Sequence, residues 1–292
     1  MTWFAVALIS ALLSAFAAIT QKKVLFNLSA LEFSFLLSIA NLVFSLPFFF
    51  FIDYNTINIL NLSILLAKSV IGVAAFLCVM IALKNLEISN ALPLLALTPG
   101  FVAVFSFLLL GESLKTVEVT GLLFLIVGTF ILESKNLKEF ASPFSVFLKS
   151  KYHRFIILAL FLFTASSILD KLLLIKLNLS PISITAFQHI YFAVLFSIIY
   201  LVFRRKEEAI SFDIKKDSLG WIALISILTI GYRYTQIVAV SLASVALVLA
   251  IKRTSVFWAT VIGGKLFNDK DLLKRSIAAV LILVGAILIL RE

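Results

Sequence analysis

Long apolar runs separated by short polar breaks make up almost the whole chain. The runs fall near Trp3–Thr20, Phe33–Ile52, Leu62–Leu83, Ala91–Leu110, Val117–Leu132, Phe155–Ile175, Pro181–Phe203, Leu219–Val240, Ala243–Ile262 and Ile277–Leu290. Most approach the roughly 20 residues that an α-helix needs to cross hydrocarbon. Alternation of period 2 is absent, and backbone in lipid must satisfy its own hydrogen bonds, so the pattern predicts helices and not a barrel. The expected fold class is all-α, a polytopic membrane protein of about ten transmembrane helices. The fifth and tenth runs are shorter, which suits packed helices of little tilt. The first run lacks a basic leading region and passes directly into the others, so it reads as a bundle helix and not as a cleaved signal.

The two halves end alike. Asn90–Leu132 reads NALPLLALTPGFVAVFSFLLLGESLKTVEVTGLLFLIVGTFIL, and Ser244–Leu290 reads SVALVLAIKRTSVFWATVIGGKLFNDKDLLKRSIAAVLILVGAILIL. Each is an apolar run, a polar break with an acid and a base, and a second apolar run with a late glycine. Glu112 and Gly128 stand at the same separation as Asp269 and Gly285. Such duplication predicts a carrier built from two repeats around a shared site. The organisation expected is a repeat over residues 1–134, a basic linker over 135–154 and a second repeat over 155–292.

Composition supports lipid as the solvent. The 292 residues are 62% hydrophobic, with 29 Phe, beyond what a water-soluble fold of this length could cover. The net charge of +10 arises from bases gathered between the apolar runs, as in cytoplasmic loops, which argues against nucleic acid as a partner. Cys78 is the one cysteine and can form no intrachain disulfide.

The spacing of those bases predicts orientation. In the first half, Lys22, Lys23, Lys84 and the central link follow odd-numbered runs. In the second half, Arg204, Arg205, Lys206, Lys215 and Lys216 follow run seven, and Lys265, Lys270, Lys274 and Arg275 follow run nine. Five helices per half is an odd number, so all these bases share one face only if the two repeats are inverted. That face is expected to be cytoplasmic, with both termini outside.

The late LLGES of residues 109–113 with the following GLLFLIVGTFIL, and the IKRTS of residues 251–255 with the later VLILVGAILIL, resemble the EamA type of drug/metabolite transporter over nearly the whole chain. These are fold signatures and not catalytic ones, and Asp269 stands where the family often has Glu. The resemblance implies two five-helix repeats, alternating access, and export or uptake of small metabolites. Eukaryotic relatives keep both termini in the cytosol, whereas the charge count of this chain puts them outside.

Polar groups inside apolar helices mark the candidate site, because each is expensive in lipid. Helix six carries Ser166 and Asp170 on one face and Ser167 and Lys171 on another. Helix one ends in Gln21, Lys22 and Lys23, a counterpart of Asp170–Lys171, and the lysines could equally snorkel to headgroups. In helix eight, Thr229, Tyr232, Arg233 and Gln236 share a face. Arg233 suits a carboxylate or phosphate of a substrate, or a fixed acid, of which Asp170 is the obvious one. Lys252 and Arg253 lie inside run nine, with Lys252 the better cavity candidate and Arg253 able to turn towards helix four, which carries Asn90, Pro93, Thr98 and Pro99. Pro93 and Pro99 read as kinks there. Gln188 and His189 form a weaker pair. The expected substrate-binding set is therefore Gln21, Lys22, Thr98, Ser166, Asp170, Lys171, Tyr232, Arg233, Gln236, Lys252 and Arg253. Its excess of cations favours amino-acid-like or organic-anion substrates over cationic drugs.

No nucleophile set, metal-ligand cluster or phosphate loop is present in the sequence, so neither an enzyme nor a cofactor is expected. A channel would show a filter repeat, and none is seen. The partners expected are a small-molecule substrate and the lipid bilayer. Proton or other ion coupling and the oligomeric state stay open, with a monomer among the options, and the expected location is the cytoplasmic membrane. A multidrug exporter and a non-transporting receptor or assembly factor are the alternatives.

Overall fold

The computed structural model describes residues 2–25, 28–85, 95, 97–133, 151–204, 216–255 and 272–290. The side chains of Lys22 and Lys23, the central link over 134–150, the loop over 205–215, and the stretch 256–271 with Asp269 and both Gly263 and Gly264 lie outside the described residues, as does Pro93.

Among the described residues the secondary structure is helical. The helices are α1 (Thr2–Leu25), α2 (Ala30–Ser45), α3 (Ile59–Asn85), α4 (Thr98–Leu110), α5 (Thr116–Glu133), α6 (Lys151–Ile175), α7 (Pro181–Arg204), α8 (Lys216–Leu242), α9 (residues 245–255) and α10 (Leu272–Leu290). Six stretches are long and apolar enough to cross a membrane, namely Trp3–Gln21, Ala30–Phe51, Ile59–Ala82, Tyr152–Ile175, Pro181–Phe203 and Leu219–Leu242. Thr98–Leu110, Thr116–Ile131 and Ile277–Ile289 are shorter apolar helices. Large side chains such as Val104, Phe107, Leu108, Leu123, Ile198 and Ile287 stand on the outside, as lipid-facing surfaces require.

Local chemistry sets several helix ends. Ser29 and Glu32 form a reciprocal capping box at the start of α2, with Ser29 N–H donating to Glu32 at 2.9 Å. Pro47 then turns the second run into a 3₁₀ segment, Leu46–Phe51, because it lacks the N–H that would continue the α-helix. Pro99 stands in the first turn of α4, where its missing N–H costs nothing, so it opens the described helix and does not kink its middle. Gly111 of LLGES closes α4 at φ 70°, a left-handed conformation that glycine adopts without a Cβ clash. The next N–H, of Glu112, turns back to Ser106 O at 3.3 Å, which directs Glu112 towards the second half of the chain.

Packing follows an exchange between the halves. The major contacts are α1 with α8, α3 with α6, α2 with α7, and α5 with α10. Exchanging each helix with the one five places along maps α1–α8 onto α6–α3 and returns α2–α7 and α5–α10 to themselves. Phe35 stacks on Tyr200 at 4.5 Å, while Phe49 meets Phe187 at 5.6 Å, so the α2 region and α7 run antiparallel. The pair α5–α10 is also antiparallel. A Cβ on Gly121 would lie 2.8 Å from Gly285 O, whereas a Cβ on Gly128 would lie 3.0 Å from Ala278 O. Backbones at that distance tolerate only hydrogen on the α-carbon, and close approach replaces the missing hydrophobic drive between helices in lipid.

Candidate functional site

Buried charges gather where α3, α6, α7 and α8 meet. Asp170 of α6 stands between two cations. Its Oδ2 receives Arg233 Nη2 at 2.6 Å, and its Oδ1 lies 2.8 Å from Lys68 Nζ. The Lys68 contact is an ion pair and not a well-aligned hydrogen bond at Oδ1. Gln188 Oε1 of α7 ties the cations together. It accepts from Lys68 Nζ and from Arg233 Nε and Nη2, the last two at 3.2 and 3.1 Å. The side chains of Lys68 and Asp170 are 1% and 3% exposed, while Arg233 keeps 14%. Arg233 is therefore the member of the triad that a ligand could reach first.

A second cation sits beside it. Lys252 of α9 donates to Gln236 of α8 and lies 4.6 Å from the centre of the Tyr232 ring, a cation–π contact. Among the described residues no carboxylate is within ion-pair distance of Lys252. Tyr234 turns elsewhere and packs on Phe48 at 5.5 Å, so only Tyr232 of the two tyrosines stands at this cation.

The other expected residues divide into separate groups. Arg253 Nη2 donates to Thr98 Oγ1 at 3.2 Å, joining α9 to α4 as its helix position suggested. Ser166 lies one turn from Asp170 on the side of α3, with Oγ 3.8 Å from where a Cβ of Gly72 would stand. Gln21 is part-exposed near the end of α1. Lys171, although next to Asp170, leaves the triad. Its Nζ donates to the carbonyls of Val240 and Ala243 at 2.8 and 2.6 Å and pairs with Glu112 at 3.1 Å. Glu112 in turn accepts from Ser244 Oγ at 3.1 Å and from Val245 N–H at 3.3 Å. A cation thus meets the carbonyl end of α8 and an anion the amide end of α9, the signs that both helix ends favour.

Counting back along each helix at 1.5 Å per residue puts Lys68, Asp170, Gln188, Arg233 and Lys252 roughly 8–14 Å from the ends of α3, α6, α7, α8 and α9.

Lys68 and Gln188 join the site without being among the expected residues. Lys68 is a lone Lys in the run from Leu62 to Leu83, where the average hydropathy masks it. Gln188 is a neutral amide that gains its role only from the charges that reach it. His189 is buried with neither ring nitrogen bonded among the described residues.

A helical bundle with lipid-facing apolar flanks, two exchange-related halves and buried charges at their junction defines the class, a multi-pass integral membrane protein. The family model for the EamA-like transporter family matches residues 1–134 and 151–291, and the chain belongs to that family, within the drug/metabolite transporter superfamily. Its members are transporters and not enzymes. A solved crystal structure shares the fold at a TM-score of 0.76 and 15% identity, over 98% of this chain and 96% of its own. No curated protein sequence matches.

Proposed function

We propose that the protein is a secondary transporter that moves small organic anions or amino-acid-like zwitterions across the cytoplasmic membrane by alternating access, in the direction of export. Ten helices cross the bilayer as two inverted five-helix repeats, one over residues 1–134 and the other over 155–292. The antiparallel course of the equivalent pairs α2–α7 and α5–α10 supports the inversion. An odd number of crossings per repeat and the gathering of bases in alternate loops support a cytoplasmic central link and outer termini.

The observation that carries the substrate class is the charge balance of the buried site. Lys68 and Arg233 share a single carboxylate, and Lys252 has only an amide and a ring face among the described residues. The site holds more positive than negative charge, in surroundings where each unpaired charge costs about 3 kcal/mol or more. A substrate carboxylate or phosphate would offset that cost, with Arg233 and Lys252 as its partners and Tyr232 and Gln236 setting its pose. The cation-exporter alternative needs a free membrane acid, and both oxygens of Asp170 already face cations.

Thermal stabilisation of the purified protein over a panel of organic acids, amino acids, phosphate esters and cationic drugs tests the class, because a ligand that binds the folded state alone raises Tm. Stabilisation by anions, followed by their flux in proteoliposomes, is the expected result. Stabilisation by cations alone overturns it.

A further inference from the structure

The triad Lys68–Asp170–Arg233 is unequal. Lys68, from the first repeat, is sealed and held by both Asp170 and Gln188. Arg233, from the second repeat, is the more exposed and stands next in sequence to Tyr232, whose ring carries Lys252. An Asp170–Arg233 pair alone would be neutral and closed. Arg233 could meet an incoming anion only by leaving a bare carboxylate in a lipid-enclosed site, and a stranded buried charge is strongly unfavourable. A second cation on the other oxygen changes this. Asp170 keeps a counter-ion when Arg233 turns away, and Gln188 still has a donor in Lys68.

We propose that Lys68 is a positioning residue that keeps Arg233 releasable: by holding Oδ1 of Asp170 it lets Arg233 exchange its carboxylate partner from Asp170 to the substrate. The inference rests on the anion-carrier reading above. Lys68 touches no substrate itself. It sets the charge balance of the triad at one net positive, where Asp170 and Arg233 alone would give none.

The signs of the charge changes make the test. Binding of L-malate, L-glutamate and inorganic phosphate is measured calorimetrically on the full chain in lipid nanodiscs, for the wild type and four variants. Lys68→Gln leaves Asp170 to Arg233 alone, and affinity for the bound anion should fall about tenfold or more. Lys68→Arg keeps the charge and should retain most of the affinity. Asp170→Asn frees Arg233 and should strengthen binding. Lys68→Gln with Asp170→Asn removes one charge of each sign and should return affinity close to the wild-type value, even if Lys68→Gln alone fails to fold. A merely structural role for Lys68 would weaken Asp170→Asn and the double variant as well. That order, or an unchanged Lys68→Gln, overturns this inference alone. If no anion binds the wild type, the anion-carrier reading fails and takes the inference with it.

Discussion

Lys171 and Glu112 form an ion pair of 3.1 Å that joins the two halves of the chain at the turn between α8 and α9. Glu112 comes from the turn after α4 and Lys171 from near the end of α6, one residue beyond Asp170 in the buried triad. The residue that meets Arg233 and the residue that meets Glu112 are thus rigidly connected. Breaking a pair of this burial by removing one partner should destabilise the fold by about 3 kcal/mol or more. Glu112→Gln and Lys171→Met should each lower Tm, with Lys171→Met the more harmful because it also strips the carbonyls of Val240 and Ala243. The reversed pair, Glu112→Lys with Lys171→Glu, should recover little. It would put a cation against the amide end of α9 and an anion against the carbonyl end of α8. Full recovery in the reversed pair would show that the helix ends contribute nothing.

Replacing Arg233 or Lys252 by Gln should weaken anion transport while leaving a folded protein. Asp170 retains Lys68 after the loss of Arg233, so no bare carboxylate is stranded. Each loss of a desolvated contact should cost about 2–5 kcal/mol of binding. Equilibrium binding and flux in proteoliposomes measure both variants, with size-exclusion profiles as the check on folding. Unchanged affinity in both would assign the two cations to structure alone.

The α5–α10 contact should tolerate no side chain at its crossing. A Cβ on Gly285 would stand 2.6 Å from Gly121 O and 2.9 Å from Leu125 N. Gly285→Leu should therefore separate the helices and lower Tm, whereas Gly220→Leu, where no other element among the described residues lies within 4 Å of an added Cβ, should be mild. Equal loss in the two variants would mean that the close approach adds nothing to stability.

Topology can be read by labelling from outside intact cells with a membrane-impermeant thiol reagent, on a background lacking Cys78. A cysteine next to Glu292 should react and one at Asn136 should not. The opposite pattern would reverse the assignment of both faces.

Alternating access predicts reciprocal movement. Spin labels on the two ends of α3 and α8 should report distances that increase on one face as they decrease on the other when a bound anion is added. Opening of both faces together would indicate a channel.

The apolar runs determined the helices, because in lipid a backbone of that composition has one way to satisfy itself. The late glycines and matching polar breaks determined that the halves are related. Periodicity even put Arg253 towards helix four and offered Asp170 as the acid for Arg233, since few buried acids were available. Sequence could not show which neighbours share a charge. Lys68 and Gln188 are 120 residues apart, and Asp170 and Arg233 63 apart, so their meeting depends on how α3, α6, α7 and α8 pack. Asp170 and Lys171 are adjacent, and the sequence places them on different faces of one helix without saying what each face meets. About 100° of helical rotation separates them, and that rotation sends one into the triad and the other to Glu112. Only the tertiary structure decided that division, because in a membrane bundle the worth of a charge is set by what lies across the next helix.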